Sequence, residues 1–259
     1  MLRVERSGAV ARVTLARPEV RNAFNAELIA ALRNAFERLS VEAPATLRAV
    51  VLAGEGKAFC AGADVEWQRA ARSLSMQENE ADASRLQQML ATIDECPVPV
   101  VAAVHGSALG GGMALCCVAD VTIATADTTF GFTEVKLGLI PAVISAFVLL
   151  RIGEGAARAT SLSGERFGAE RALRIGLVSE VVPDQAALAA RVEAVVAEVL
   201  TASPESTRNA KAMIREQREL SRGDARERTV RWAARQRVSA EGQEGLGAFL
   251  EKRPAAWRE

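Results

Sequence analysis

The chain has no tyrosine and a single histidine, His105, among 259 residues. Any Ser-His-Asp or Cys-His site would therefore have to be built on His105, and acid–base work falls mainly to carboxylates. No GxSxG turn and no GxGxxG fingerprint occurs, and "GEGKAF" (54–59) has neither the spacing nor the Ser/Thr of a phosphate loop. The four cysteines, Cys60, Cys96, Cys116 and Cys117, form no CxxC pair, which argues for buried free thiols and against a metal site. An excess of one charge is also missing: 32 basic residues balance 32 acidic ones. No overall field exists to attract nucleic acid or a membrane surface. No run of about eighteen apolar residues is found, and "MLRVERSG" lacks the apolar core of a signal peptide, so a cytoplasmic protein is expected.

What the chain does have is apolar residues, 49% of the total, enough for a large domain plus a smaller one. "AVARVTLAR" (9–17), "LRAVVLAG" (47–54), "VPVVAAVHG" (98–106), "DVTIAT" (120–125) and "TTFGF" (128–132) read as strands. "ELIAALRNAFERL" (27–39) has helical spacing behind Asn25 as a cap, helices fill most of 65–95, and a short helix runs from about 111 to 118. Alternating strands and helices predict a mixed α/β region over residues 1–200. Residues 201–259 read as a helical C-terminal region. Basic residues outnumber acidic ones between 208 and 237, which reads as a solvated helix face or subunit contact, with nucleic-acid binding as the alternative.

Three consecutive glycines, Gly110 to Gly112, stand at the mouth of an apolar helix. Glycine is poor in helices, so something must approach this backbone closely or the turn needs unusual dihedrals. A helix N-terminus carries free N–H groups and the positive end of the helix dipole. "KAFCAGAD" and "SALGGGMA" each follow a strand and lead into a helix. Side by side, they could aim two N–H groups at one oxygen; otherwise both are only tight turns. Glu134, amid phenylalanine, valine and leucine in "TFGFTEVKLGLIP", is a candidate general acid or base with a raised pKa, or else a surface residue beside Lys136.

Five stretches, "RPEVRNAFN" (17–25), "GEGKAFCAGADV" (54–65), "HGSALGGGMAL" (105–115), "ADTTFGFTEVKLGLIP" (126–141) and "FLEKRPAAW" (249–257), together resemble the enoyl-CoA hydratase/isomerase (crotonase) superfamily in order and approximate spacing. The resemblance spans nearly the whole chain. It implies an α/β fold, a crotonase-like spiral of repeated ββα units with a C-terminal helical trimerisation region. Acyl-CoA thioesters would be the substrates, with coenzyme A arriving on the substrate and no other cofactor. By the same resemblance the N–H groups of Ala63 and Gly111 are the oxyanion donors and Glu134 is catalytic. Arg21, Ala23, Ala61, Ala63, Asp64, Val65, Gly110 and Gly111 would bind CoA and acyl groups. Phe249 and Lys252 would reach the CoA of a neighbouring subunit in a homotrimer or hexamer.

One departure matters. Two-glutamate hydratases of the family carry a carboxylate where this chain has Ala114. Loss of one carboxylate favours an allylic isomerase on mechanism, because a proton shift needs a single base. "GADVEW", "CCVAD" and "TEVKLGLIPAVIS" pull the other way, being most similar to the methylglutaconyl-CoA and isohexenylglutaconyl-CoA hydratase branch. Hydration of a branched or carboxylated enoyl-CoA is thus the first expectation and Δ3,Δ2-enoyl-CoA isomerisation the second. A non-enzymatic RNA- or acyl-CoA-binding protein is the reading from another class. No motif reads the acyl chain; its pocket is expected from 65–90 and 140–150, with Trp67 either lining it or packed in the core.

Overall fold

The computed structural model describes residues 1–43 and 46–258. Strands β1 (Leu2–Ser7) and β2 (Val10–Leu15) form an antiparallel hairpin turned at Gly8, and helix α1 (Ala26–Glu42) follows. The Asn25 side chain caps α1 by accepting from the Leu28 N–H. Next come β3 (Ala49–Gly54), α2 (Val65–Ala71) and α3 (Met76–Asp94), the last opened by a reciprocal Ser75–Glu78 capping box. Two strand–strand–helix units complete the spiral. One is β4 (Val100–Val104), β5 (Ser107–Leu109) and α4 (Gly111–Val118). The other is β6 (Val121–Thr125), β7 (Thr129–Gly131) and α5 (Ala142–Ser161). Then follow β8 (Phe167–Gly168), α6 (Ala169–Arg174), β9 (Glu180–Val182) and α7 (Gln185–Thr201). Helices α8 (Pro204–Glu216), α9 (Arg222–Val238) and α10 (Ala240–Glu251) end the chain.

The first strand of each unit joins one sheet, in the order β1-β2-β3-β4-β6-β9, which is parallel from β2 onward. The second strands form a separate sheet, β5-β7-β8. Strand β3 shows why the large sheet reads as continuous apolar runs: both of its faces are covered. Val50 and Leu52 belong to the main core with α1, α3 and α4, while Ala49 and Val51 face a second cluster with Leu188, Val192 and Val196 of α7. Helix α4 is apolar all round and accordingly lies inside, with every residue from Gly112 to Val118 buried. Among the described residues no helix is long and apolar enough to cross a membrane.

Strand β1 was not expected from the sequence. It is an edge strand with most of its side chains in solvent, so it lacks the apolar alternation that marks a half-buried strand. The segment between β2 and α1 is held by Asn22, which is fully buried with a left-handed φ of 56°. Its Nδ2 donates to the carbonyls of Glu55 (2.9 Å) and Ala58 (2.8 Å), and its Oδ1 accepts from the Arg17 N–H. One side chain thereby ties residues 17–22 to the loop after β3 and fixes where that loop departs.

Candidate active site

The loop after β3 is inserted between two other stretches of backbone. On one side the Phe59 N–H donates to the His105 carbonyl, Cys60 to Ser107, and Leu109 back to Cys60, each at 3.0 Å. On the other side Ala61 donates to Arg21 (2.9 Å), Phe24 to Gly62 (2.7 Å) and Asp64 to Phe24 (2.8 Å). Gly62 and Asp64 thus bond to Phe24, and Ala63 between them must turn its own N–H the opposite way. Gly62 lies so close to the end of β5 that a Cβ there would be 2.9 Å from the Leu109 carbonyl oxygen. Ala63 is therefore held beside the mouth of α4.

Each member of the glycine triplet makes room for something different. A Cβ on Gly112 would sit 2.4 Å from the Cys60 carbonyl oxygen, and one on Gly111 would sit 2.6 Å from the Phe24 ring. Gly110 has a φ of 48°, and a Cβ there would lie 2.8 Å from Oε1 of Glu134. The third glycine site is thus the seat of a carboxylate. Gly110 itself donates to the Gly131 carbonyl (2.9 Å), and α4 starts at Gly111. Among the described residues neither the Ala63 nor the Gly111 N–H donates a hydrogen bond. Two unused donors, one at a helix N-terminus, thus flank the place where Glu134 ends.

Glu134 opens a short 3-10 turn over Glu134–Leu137, locked by bonds from Gly138 to Val135 and from Leu139 to Glu134. Its Oε2 is buried with no hydrogen-bond partner. Burial pushes its pKa above the ordinary glutamate value, against a smaller lowering by its own backbone N–H. Lys136 is exposed and forms no ion pair with it among the described residues.

These groups line one cavity of about 520 Å³. Ala61, Ala63, Val65, Gly110, Gly111 and Glu134 are on its wall. Trp67 and Leu86 come from the 65–90 stretch, and Pro141 to Ile144 from the 140–150 stretch. Other expected residues lie elsewhere. Arg21 is exposed, with a left-handed φ of 54°, and Ala23 is buried with its carbonyl accepting from Arg17. Asp64 caps α2 and pairs with Arg17 at 2.9 Å. Its burial would raise its pKa, but the Glu66 N–H and the Arg17 guanidinium outweigh that and hold it below the ordinary range. Ala114 is fully buried inside α4. Phe249, 79% exposed, and Lys252, with a φ of 55°, sit at the end of α10 and do not line the cavity.

Glu66 and Asp120 do not line the cavity, and both are engaged: Glu66 with Arg69 (2.7 Å), and Asp120 with Lys211 (2.6 Å). His105 bonds through Nε2 to the Gly56 carbonyl (2.9 Å) and does not line the cavity. Burial pushes the Cys60 and Cys117 thiols up to about 12, so neither offers a thiolate. Among the described residues no group of three His, Cys, Asp or Glu side chains could hold a metal ion. Gln68 and Asp82 also line the cavity and fall in the expected 65–90 stretch without having been singled out, whereas Thr133 and Arg166 lie outside the expected stretches. Asp82 and Leu86, four apart on α3, share a helix face, a spacing that could have paired them. Arg166 left no such signal, because the pairing of β8 with β7 cannot be read from local sequence.

The arrangement can hold a carbonyl oxygen on two N–H groups while a desolvated carboxylate moves a proton beside it. The family model described as "Enoyl-CoA hydratase/isomerase" matches residues 5–259. Among curated relatives, the 2,3-dehydroadipyl-CoA hydratase of Escherichia coli is 33% identical, covering 96% of this chain and 95% of the relative. Among solved structures, Pseudomonas aeruginosa AtuE superposes with a TM-score of 0.95 at 34% identity, covering 100% of this chain and 99% of that one. An enoyl-CoA hydratase from Shewanella pealeana gives 0.93 at 35% identity, with 99% and 95% covered.

The raised pKa of Glu134 has a consequence for stability. The folded state keeps this proton to a higher pH than the unfolded chain does. Its contribution is therefore fully present at acid pH and is lost as pH rises through the raised folded value. Glu134→Gln removes that loss, so the variant melts above the parent at pH 7. The gap closes as pH falls below the ordinary glutamate range. Thermal melts across pH check this; a variant melting below its parent at pH 7 contradicts it.

Proposed function

This chain belongs to the enoyl-CoA hydratase/isomerase family, and from that premise we propose that it adds water across the double bond of a branched or carboxylated enoyl-CoA thioester. One observation carries the reading: a carboxylate seated over Gly110 with one oxygen buried and unpartnered, in the same cavity as two unused backbone N–H groups. The thioester oxygen accepts from the Ala63 and Gly111 N–H groups. As water attacks the β-carbon, the Glu134 carboxylate takes a proton from it, and the π electrons move onto the thioester oxygen as an enolate. The two donors then face a full negative charge, which is when they stabilise most. Glu134 next returns the proton to the α-carbon, closing the balance with one water added. A single carboxylate suffices if it serves first as base and then as acid. The carboxylated substrate class is supported by the similar 2,3-dehydroadipyl-CoA hydratase of Escherichia coli, named for the thioester of a dicarboxylic acid.

The second reading, a Δ3,Δ2-isomerase, is favoured by Ala114, which puts no carboxylate where the two-glutamate hydratases carry their other one. Here Glu134 would take an allylic proton and return it two carbons away. The two readings differ by the mass of one water. Incubation with a panel of enoyl-CoA thioesters, read by mass spectrometry, is expected to give hydrated products. Glu134→Gln is expected to bind the CoA esters and turn over at least about a hundredfold more slowly. Ordinary turnover by this variant would mean that another group does the chemistry.

The assembly belongs to the same proposal. Leu149, Leu150 and Leu162 on or just after α5, Val230 and Val238 on α9, and Phe249 and Leu250 on α10 are all exposed apolar side chains. A groove of about 370 Å³ with Phe132, Ile140, Leu149 and Leu162 on its wall runs along α5. Burying these surfaces in a homotrimer, alone or paired into a hexamer, would bring Phe249 and Lys252 to a neighbour's CoA, with Lys252 as a point charge near phosphate. Sedimentation is expected to show trimers or hexamers. Lys252→Ala is expected to raise KM for CoA esters more than it lowers kcat. A folded monomer with full activity contradicts both.

A further inference from the structure

The cavity that holds Glu134 carries one cationic side chain among the described residues, Arg166. The rest of its wall beyond the reacting centre is largely apolar, with Trp67, Leu86, Ile140 and Pro141 among its residues. A guanidinium adds only its stem to the grip on a hydrocarbon chain; Arg166 is exposed, so its head is solvated, and what it offers a ligand on this wall is a place for an anion.

Nearby acids do not fill that place. Glu165, the preceding residue, is paired with Arg171, whose guanidinium also lies 5.3 Å over the Phe167 ring. Asp82, the other carboxylate on the wall besides Glu134, pairs with Arg85 at 3.3 Å. Arg166 itself makes no ion pair or side-chain hydrogen bond among the described residues.

Its position is fixed by the small sheet. Phe130 pairs with Phe167 across β7 and β8, which puts Arg166 beside Gly131, three residues before Glu134. A Cβ on Gly131 would sit 3.4 Å from the Arg166 Cγ, so the glycine leaves a track for the arginine stem. The turn at Gly164 packs on Val135 and Lys136, tying the approach to Arg166 to the turn that carries Glu134. The cation is thus built into the same frame as the catalytic carboxylate, while Glu134 keeps no cationic partner.

We propose that Arg166 recognises a carboxylate at the far end of the acyl chain, and so selects enoyl-CoA thioesters of dicarboxylic acids over neutral ones. The proposal rests on the hydratase reading above and names the substrate class of that site. A planar guanidinium can take such a carboxylate through two parallel N–H···O bonds, a geometry that an amide of the same shape cannot match.

The test compares an enoyl-CoA ending in a carboxylate with its isosteric terminal amide. The parent protein is expected to prefer the carboxylate by about tenfold or more in kcat/KM. Arg166→Met, which keeps the stem against Gly131, is expected to bring that ratio towards one, mainly through KM. Arg166→Lys is expected to restore part of it. An unchanged ratio in Arg166→Met, or a parent with no preference, overturns the proposal while leaving hydration intact. If neither thioester gains water, the hydratase reading fails instead. Calorimetric binding of the two saturated acyl-CoA analogues then still decides on Arg166: a carboxylate preference lost in Arg166→Met supports it, and equal affinities overturn it.

Discussion

A buried backbone must find partners for its N–H groups, and the site depends on where that pairing stops. Residues 59–64 bond to 105–109 on one side and to 21–24 on the other, so the N–H groups of Phe59, Cys60, Ala61 and Asp64 are all spoken for. Ala63 is an exception because parallel pairing with Phe24 uses the residues either side of it. Gly111 is another because the first turn of a helix has no carbonyl to offer its own N–H groups. The two exceptions are brought together by the close packing of Gly62 on Leu109. The fold thereby presents two fixed backbone donors on the wall of one cavity, and on the proposed mechanism they need no reorganisation when charge appears on a substrate oxygen.

The glycine triplet is where this arrangement meets its limits of space. Only Gly110 needs a left-handed φ; the others are required by what lies against them, the Phe24 ring and the Cys60 carbonyl. The carboxylate that fills the space over Gly110 has one oxygen buried without a donor. Such a group costs stability, and the surrounding turn holds it in place all the same. A structural role would not require an unpaired carboxylate oxygen at that position, whereas a pKa raised by burial suits the proton transfer proposed for Glu134.

Much of this was legible in the sequence because it depends on local rules. Asn25 as a cap, the span of α4 and the strand at 120–125 follow from side-chain chemistry and apolar periodicity within a few residues. The two loops were recognisable as strand-to-helix turns, and Glu134 as a carboxylate in apolar company. What stayed hidden depends on pairing between distant segments. Strand β1 has too exposed a pattern to declare itself. That Asp64 would be tied up by Arg17, that Gly110 would seat Glu134, and that Arg166 would enter the same cavity through β7 and β8 are all consequences of register, which no single stretch encodes.

The central claim is physical before it is chemical: two backbone N–H groups, of Ala63 and Gly111, grip one thioester oxygen. A saturated acyl-CoA labelled with carbon-13 at the thioester carbonyl cannot react by hydration, so its bound state can be observed at rest. Isotope-edited infrared difference spectra of this ligand on the wild-type protein report the polarisation of that carbonyl directly. The account predicts a carbonyl stretch at lower frequency than in water, because two preorganised donors in a desolvated site polarise the bond more than solvent does. A bound carbonyl at or above its frequency in water would contradict it.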